Sequence, residues 1–288
     1  MLAPKDMPAK FVTWNRRYHA PLGRPLWTWY IRSGLRGSYR AWKNRFDLPA
    51  PMLRAIGPFG FQTNSSTRTF EYPWSFFTAE LRPGMTVVDI GAGASGFQFV
   101  LGGLGLKVIS VDPLLQEDKD LNWVFTECEF ERLNRAFRSN IQFFRAFLQD
   151  AKLSPESVDR VFAISVLEHV PQPAVEQIMQ EAARILKPGG MLVATIDLFT
   201  DCAPFTGKLE NHWGTNISVA SAIAVSGMDL FQGRRDELCG FPEFRPECVT
   251  ARDDVLRVND AMTQCDVMTQ CVVLRKSALP ARSLGNAA

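Results

Sequence analysis

From Thr86 onward the chain alternates short apolar runs with mixed, amphipathic stretches. "TVVDI" (86–90) is apolar on successive positions, ends in an acid and an isoleucine, and breaks into glycines. It predicts a strand buried on both faces. "SGFQFVLGGL" (95–104) predicts a helix, and "KVISVD" (107–112) a second strand. A polar helical stretch follows over 117–137. "IQFFRAFL" (141–148) predicts the third strand and "DRVFAISV" (159–166) the fourth. "PAVEQIMQEAARILKPGG" (173–190) predicts an amphipathic helix closed by Pro188, Gly189 and Gly190. "MLVATID" (191–197) is the fifth strand. "NISVASAIAVSGM" (216–228) predicts a helix capped by Asn216, "DLFQG" a sixth strand and "DVMTQCVVLRK" a seventh. Strands alternating with helices predict an α/β fold: a mostly parallel sheet with helices on both faces.

The part before this alternation differs in kind. "PLWTWYIRSGLRGSYRAWKNRF" (25–46) mixes aromatics with arginines and is interrupted by Gly34 and Gly37, which favours short helices over one long one. "SSTRTFEYPWSFFTAEL" (65–81) predicts a further helix. Met1–Arg54 holds eleven Lys/Arg and two Asp, a net +9, so the remainder carries −7 of the total +2. The same segment holds Trp14, Trp27, Trp29 and Trp42, four of the seven tryptophans. The expected organisation is a basic, aromatic extension over 1–75, then a domain over 76–288 with an insertion near 233–266.

Composition excludes several classes. No apolar run approaches the roughly 18 residues of a membrane span, and the opening residues lack the apolar centre of a signal peptide. The six cysteines form no C-x-x-C, which predicts reduced thiols in a cytoplasmic protein. With three histidines, none clustered with cysteine, no metal is expected on these residues.

"GAGASG" (91–96) fits the G-x-G-x-x-G pattern, which alone permits a dinucleotide and an NAD(P)-dependent oxidoreductase. Asp89, two residues before Gly91, argues against a pyrophosphate, which it would repel. A cationic ligand suits it: S-adenosylmethionine carries a sulfonium and an ammonium and no phosphate. Asp112 ends the second strand, where a carboxylate can accept both ribose hydroxyls. Asp150 ends the third strand, suited to an adenine amino group.

With "VVDIGAGASGF", "VISVDP", "FLQDAKLSPESVDRVFAISVLEHV" and "LKPGGMLVATID" in order, the chain resembles the class I S-adenosylmethionine-dependent methyltransferases over roughly residues 86–197. The resemblance implies a Rossmann-like, seven-stranded, mostly parallel sheet with an antiparallel last strand and an N-terminal helical extension. It implies cofactor contacts at Asp89, Gly91, Ala92, Gly93, Asp112, Asp150 and Ser165. "EYPWSFF" resembles a cover helix over the cofactor, which makes Tyr72 and Trp74 candidate lid residues.

A base is needed only where the methyl acceptor loses a proton. Candidates beyond the strand ends are His169 in "LEHV", Asp197 after the fifth strand, and His212 beside Trp213. Asp197 with Asp201 is the alternative of a divalent metal site. The Asn/Asp-Pro-Pro-Tyr signature of amino-group methylation is absent, with "AISVLEH" in its place. The expected acceptor is therefore a small molecule, such as a sugar, glycolipid precursor or secondary metabolite, methylated on oxygen. Nucleic acid is disfavoured as a partner. Basic residues among tryptophans also suit anionic lipid headgroups, so peripheral membrane contact is a second role for the arm. A membrane- or RNA-associated protein keeping the cofactor fold as scaffold is the non-enzymatic alternative. The oligomeric state is not legible.

Overall fold

The seven apolar runs are strands: β1 Thr86–Ile90, β2 Lys107–Val111, β3 Gln142–Phe144, β4 Val158–Ile164, β5 Leu186–Phe199, β6 Asp229–Gln232 and β7 Val267–Arg275. In the computed structural model, which describes residues 1–25, 45–62, 64–113, 125–259 and 265–278, they form one sheet in the order β3-β2-β1-β4-β5-β7-β6. Every neighbouring pair from β3 to β5 is parallel. β7 runs against both β5 and β6. Among the described residues the helices are α1 Ala9–Tyr18, α2 Ala50–Ile56, α3 Arg68–Thr78, α4 Gly96–Gly102, α5 Glu127–Phe137, α6 Gln172–Ile185, α7 Val219–Ser226 and α8 Pro246–Thr250.

Side-chain alternation along the strands divides the core between the two faces. Val87, Phe162 and Val193 join an aromatic cluster with Phe11, Trp14, Phe59 and Phe97 from the N-terminal half. Their neighbours Val88, Ala163 and Ala194 face an aliphatic cluster built with Val175, Ile178 and Ala182 of α6. Both faces are covered, which is why the central strands read as unbroken apolar runs.

The described part of the extension packs into the aromatic core. Phe11 of α1 lies 5.4 Å from Phe70 and stacks on Phe77 at 5.7 Å, both on α3. Trp14 meets Phe59 at 5.9 Å. A boundary at 75/76 falls inside α3, which spans both sides of it. Trp27, Trp29 and Trp42 lie outside the described residues. The insertion contributes Cys239, Phe244, Val249 and Val255 to a small cluster closed by Leu2, Leu198 and Met268.

Several boundaries differ from the pattern. β3 spans only Gln142–Phe144, because only Ile109–Val111 of β2 are there to pair with it. Asp150 therefore sits in a 3-10 turn, Leu148–Ala151, beyond the strand. Pro188, Gly189 and Gly190 do not close α6. They lie inside β5, where Leu186 pairs with Val158 and the Gly189 N–H donates to Lys276 O at 2.9 Å. Asn216 does not cap α7. It accepts from Phe199 N–H at 2.8 Å, and Ser218 caps the helix through Ser221 N–H. Asp197 lies within β5, opposite Thr269, rather than after it. Among the described residues no helix is long and apolar enough to cross a membrane.

Candidate active site

The turn after β1 is built around glycine for a steric reason. Gly91 has φ +63°, and an added Cβ would lie 2.6 Å from Val166 Cγ2. Its N–H donates to Val111 O at 2.8 Å. Two residues on, Gly93 N–H donates to Asp112 Oδ2 at 2.7 Å. Asp112, just beyond β2, thus holds the loop while facing it. Ala92 is buried within the same turn. Ser95 Oγ accepts from Phe97 N–H at 3.1 Å and starts α4.

Asp89 sits beneath this turn, 3 % exposed. No described residue donates a hydrogen bond to its carboxylate. Burial, helped by the nearby Asp112 charge, pushes its pKa up to about 8. Ionising a carboxyl this buried is costly without a nearby cation, so the site fits a ligand that brings positive charge. Tyr72 reaches the same loop: its hydroxyl donates to Asn64 Oδ1 at 2.9 Å and lies 3.3 Å from Ser95 Oγ. Its ring stacks on Phe97 at 5.6 Å. Trp74 is buried in the aromatic core. Asp150 is exposed on its turn.

Beside the loop, at the ends of β4 and β5, lies a buried cluster of charge. Ser165, just past β4, has φ +48°. Its hydroxyl meets both the Glu168 carboxylate and Asp197 Oδ2, the latter at 3.0 Å. Glu168 Oε1 also accepts from Asp197 N–H at 3.2 Å. From α3, Arg68 pairs with Glu71, which also accepts from Thr67 Oγ1 at 3.1 Å. Burial alone would lower the Arg68 pKa, but Glu71, and then Asp197, raise it. Burial raises Glu71, opposed by Arg68. Burial also lifts Glu168 to about 7 and, with the Glu168 charge, Asp197 to about 6. Three oxygens here are buried without a hydrogen-bond partner: Glu71 Oε1, Glu168 Oε2 and Asp197 Oδ1.

His169 stands at the rim, with a third of its side chain exposed. Its Nδ1 meets Trp213 O. A carbonyl only accepts, so Nδ1 carries the proton and Nε2 keeps its lone pair. Partial burial holds this histidine below its ordinary pKa. His212 is exposed on the loop after β5, its ring edge-on to Trp213 at 4.9 Å. Asp201 pairs with Lys208 Nζ at 3.0 Å and Asn211 Nδ2 at 2.9 Å. Among the described residues no His/Cys/Asp/Glu group is placed to hold a metal ion.

The structure therefore brings Ser165, His169 and Asp197 together and leaves His212 exposed on the adjoining loop. It adds Arg68, Glu71 and Glu168. The sequence carried a signal for each: Arg68 and Glu71 stand three apart on a helix, and Glu168 precedes His169.

Comparison with known proteins decides what this arrangement belongs to. The family profile of a methyltransferase domain matches residues 88–194. The chain carries a class I methyltransferase domain. This methyltransferase is 26 % identical over 198 residues to an uncharacterized methyltransferase of Mycobacterium bovis, covering 60 % of this chain and 71 % of that one. It is 31 % identical over 113 residues to the mitochondrial ubiquinone biosynthesis O-methyltransferase of Mus musculus, covering 39 % of this chain and 28 % of that one. The YcgJ protein of Bacillus subtilis has the same fold, with a TM-score of 0.51 at 16 % identity, over 72 % of this chain and 98 % of that one. So does a [4+2]-cyclase, with a TM-score of 0.50 at 16 % identity, over 84 % of this chain and 97 % of that one. The fold alone leaves the reaction open. The sequence match sets the methyltransferase apart from an oxidoreductase using the same glycine turn.

Proposed function

We propose that this methyltransferase binds S-adenosylmethionine at the glycine turn and methylates an oxygen of a small molecule. The cofactor supplies an electrophilic methyl group on a sulfonium. The observation that carries the reading is Asp89: 3 % exposed beside the glycine turn, its carboxyl is pushed up by burial and by the Asp112 charge, and a cation there would favour its ionised form. Gly91 and Gly93 let the backbone approach the ligand, Asp112 takes the ribose hydroxyls, and Tyr72 closes the loop from above. Exposed Asp150 remains available to the adenine.

Beyond the strand ends, Asp197 takes the acceptor's proton. Its Oδ1 is buried and unpartnered, and a pKa near 6 matches a base that works near neutrality. His169, with its Nε2 lone pair at the rim, is the second candidate. An acidic hydroxyl, phenolic or enolic, suits such a base. The resemblance to an O-methyltransferase and the absence of the amino-methylation signature support oxygen over nitrogen and a small molecule over nucleic acid.

Calorimetry at pH 7 tests the reading. S-adenosylhomocysteine, whose ammonium would pair with Asp89, should bind while NAD does not. Binding should release a proton, because Asp89 is protonated in the free protein below pH 8 and ionises against the ammonium. Heats measured in two buffers of different ionisation enthalpy read that proton, and Asp89→Asn should remove it. NAD binding without S-adenosylhomocysteine binding would sink the proposal.

Asp112→Ala should weaken S-adenosylhomocysteine binding by about 1.5–3 kcal/mol, the range for hydrogen bonds to a charged group. The change removes the ribose acceptor and the Gly93 anchor together. Unchanged affinity in a folded variant would refute the assignment.

A further inference from the structure

Ser165 has one hydroxyl proton and two carboxylates to face. Its Oγ meets Glu168 and lies 3.0 Å from Asp197 Oδ2. If both carboxylates were ionised, one would face only a lone pair. A second proton shared across the three groups removes that conflict. Glu168 is central to it. It is 0 % exposed. Its Oε1 also accepts from the Asp197 N–H at 3.2 Å, and its main-chain O from Thr215 N–H at 3.0 Å. An added Cβ at Gly214 would lie 2.1 Å from that same oxygen. Glu168 thereby ties the end of β4, the end of β5 and the 211–215 loop to one point.

We propose that Glu168 is a positioning residue of the transfer site: through Ser165 and the Asp197 amide it fixes the Asp197 carboxylate and shares one proton with it. The inference rests on Asp197 being the proton acceptor. Among the described residues, acids and bases reach Asp197 from several elements. Arg68 and Glu71 face it from α3, Glu168 and His169 from the turn after β4, and Cys271 from β7. Arg68 is the cation among them, so the Glu168 charge is not cancelled in full. Two acids coupled this closely titrate as a pair.

The test is an NMR titration of the full-length protein, carrying carboxyl-labelled aspartate, with S-adenosylhomocysteine present. The Asp197 signal is assigned by its loss in Asp197→Asn. Its midpoint in the unsubstituted protein should lie well above the about 3.9 of an ordinary aspartate. Glu168→Gln keeps the shape and removes the like charge, so the midpoint should fall by about one unit or more. Ser165→Ala removes a hydrogen bond that favours the ionised form, so the midpoint should rise. Opposite shifts support the proposal, and an unmoved midpoint in either folded variant overturns it. If Glu168→Gln does not fold, Ser165→Ala decides alone. The proton-acceptor reading fails separately, if Asp197→Asn retains turnover while both shifts appear.

Discussion

Asp197→Asn should lower methyl transfer by about 10²–10⁴-fold, the range for loss of a general base, while S-adenosylhomocysteine binding is retained. The substitution preserves size, so the hydrogen bond across β5 and β7 and the burial of the site survive. What it removes is a carboxylate held near pH 6 with one buried, unpartnered oxygen. The measurement uses a phenolic probe that the unsubstituted enzyme methylates, with labelled S-adenosylmethionine. His212→Ala is the control. His212 is exposed and makes no hydrogen bond to the buried cluster among the described residues, so its removal should stay well short of a base's loss. His169→Ala discriminates further. A collapse of turnover there, with Asp197→Asn active, would move the base to the rim histidine.

Arg68→Met should destabilise the fold by about 3–5 kcal/mol, the cost of leaving a buried charge without its partner. The Arg68 side chain is 13 % exposed and that of Glu71 0 %. Beyond Glu71 lie Glu168 and Asp197, so the guanidinium offsets more than one carboxylate. Urea unfolding reads the loss. Glu71→Gln in the same chain should restore part of it, because an amide does not carry the unpaired charge. If Arg68→Met unfolds within about 1 kcal/mol of the unsubstituted protein, the pair behaves as an exposed one. Cofactor binding should weaken as well, since α3 also positions Tyr72 against Ser95.

The glycine turn and its acids were legible because each carries a local signal. Gly91 follows an apolar run and adopts a backbone that disfavours other residues, and Asp89 and Asp112 stand at strand ends that periodicity reveals. Asp150 was legible as a residue and not as a position, since the strand before it stops at Phe144 when its partner runs out. The Pro188-Gly189-Gly190 run has two local meanings, a helix stop and a bend within a strand. Pairing with Val158 and Lys276 selects the second. Asn216 carries a capping residue's chemistry, yet its amide is taken by Phe199 and Ala203 from a distant turn.

By itself the sequence determined the alternation of strands and helices, the sheet with both faces buried, the glycine turn with its neighbouring acids, and the family. These follow from periodicity and from backbone geometry, which act over a few residues. Only the tertiary structure decided that Arg68, Glu71, Ser165, Glu168 and Asp197 form one buried cluster, and that His212 is exposed on a loop beside it. Those residues are up to 129 positions apart. Their protonation depends on burial and on charges delivered from three different elements. Electrostatic interaction is set by distance in space and by the water excluded between groups, and neither quantity is written in the order of the chain.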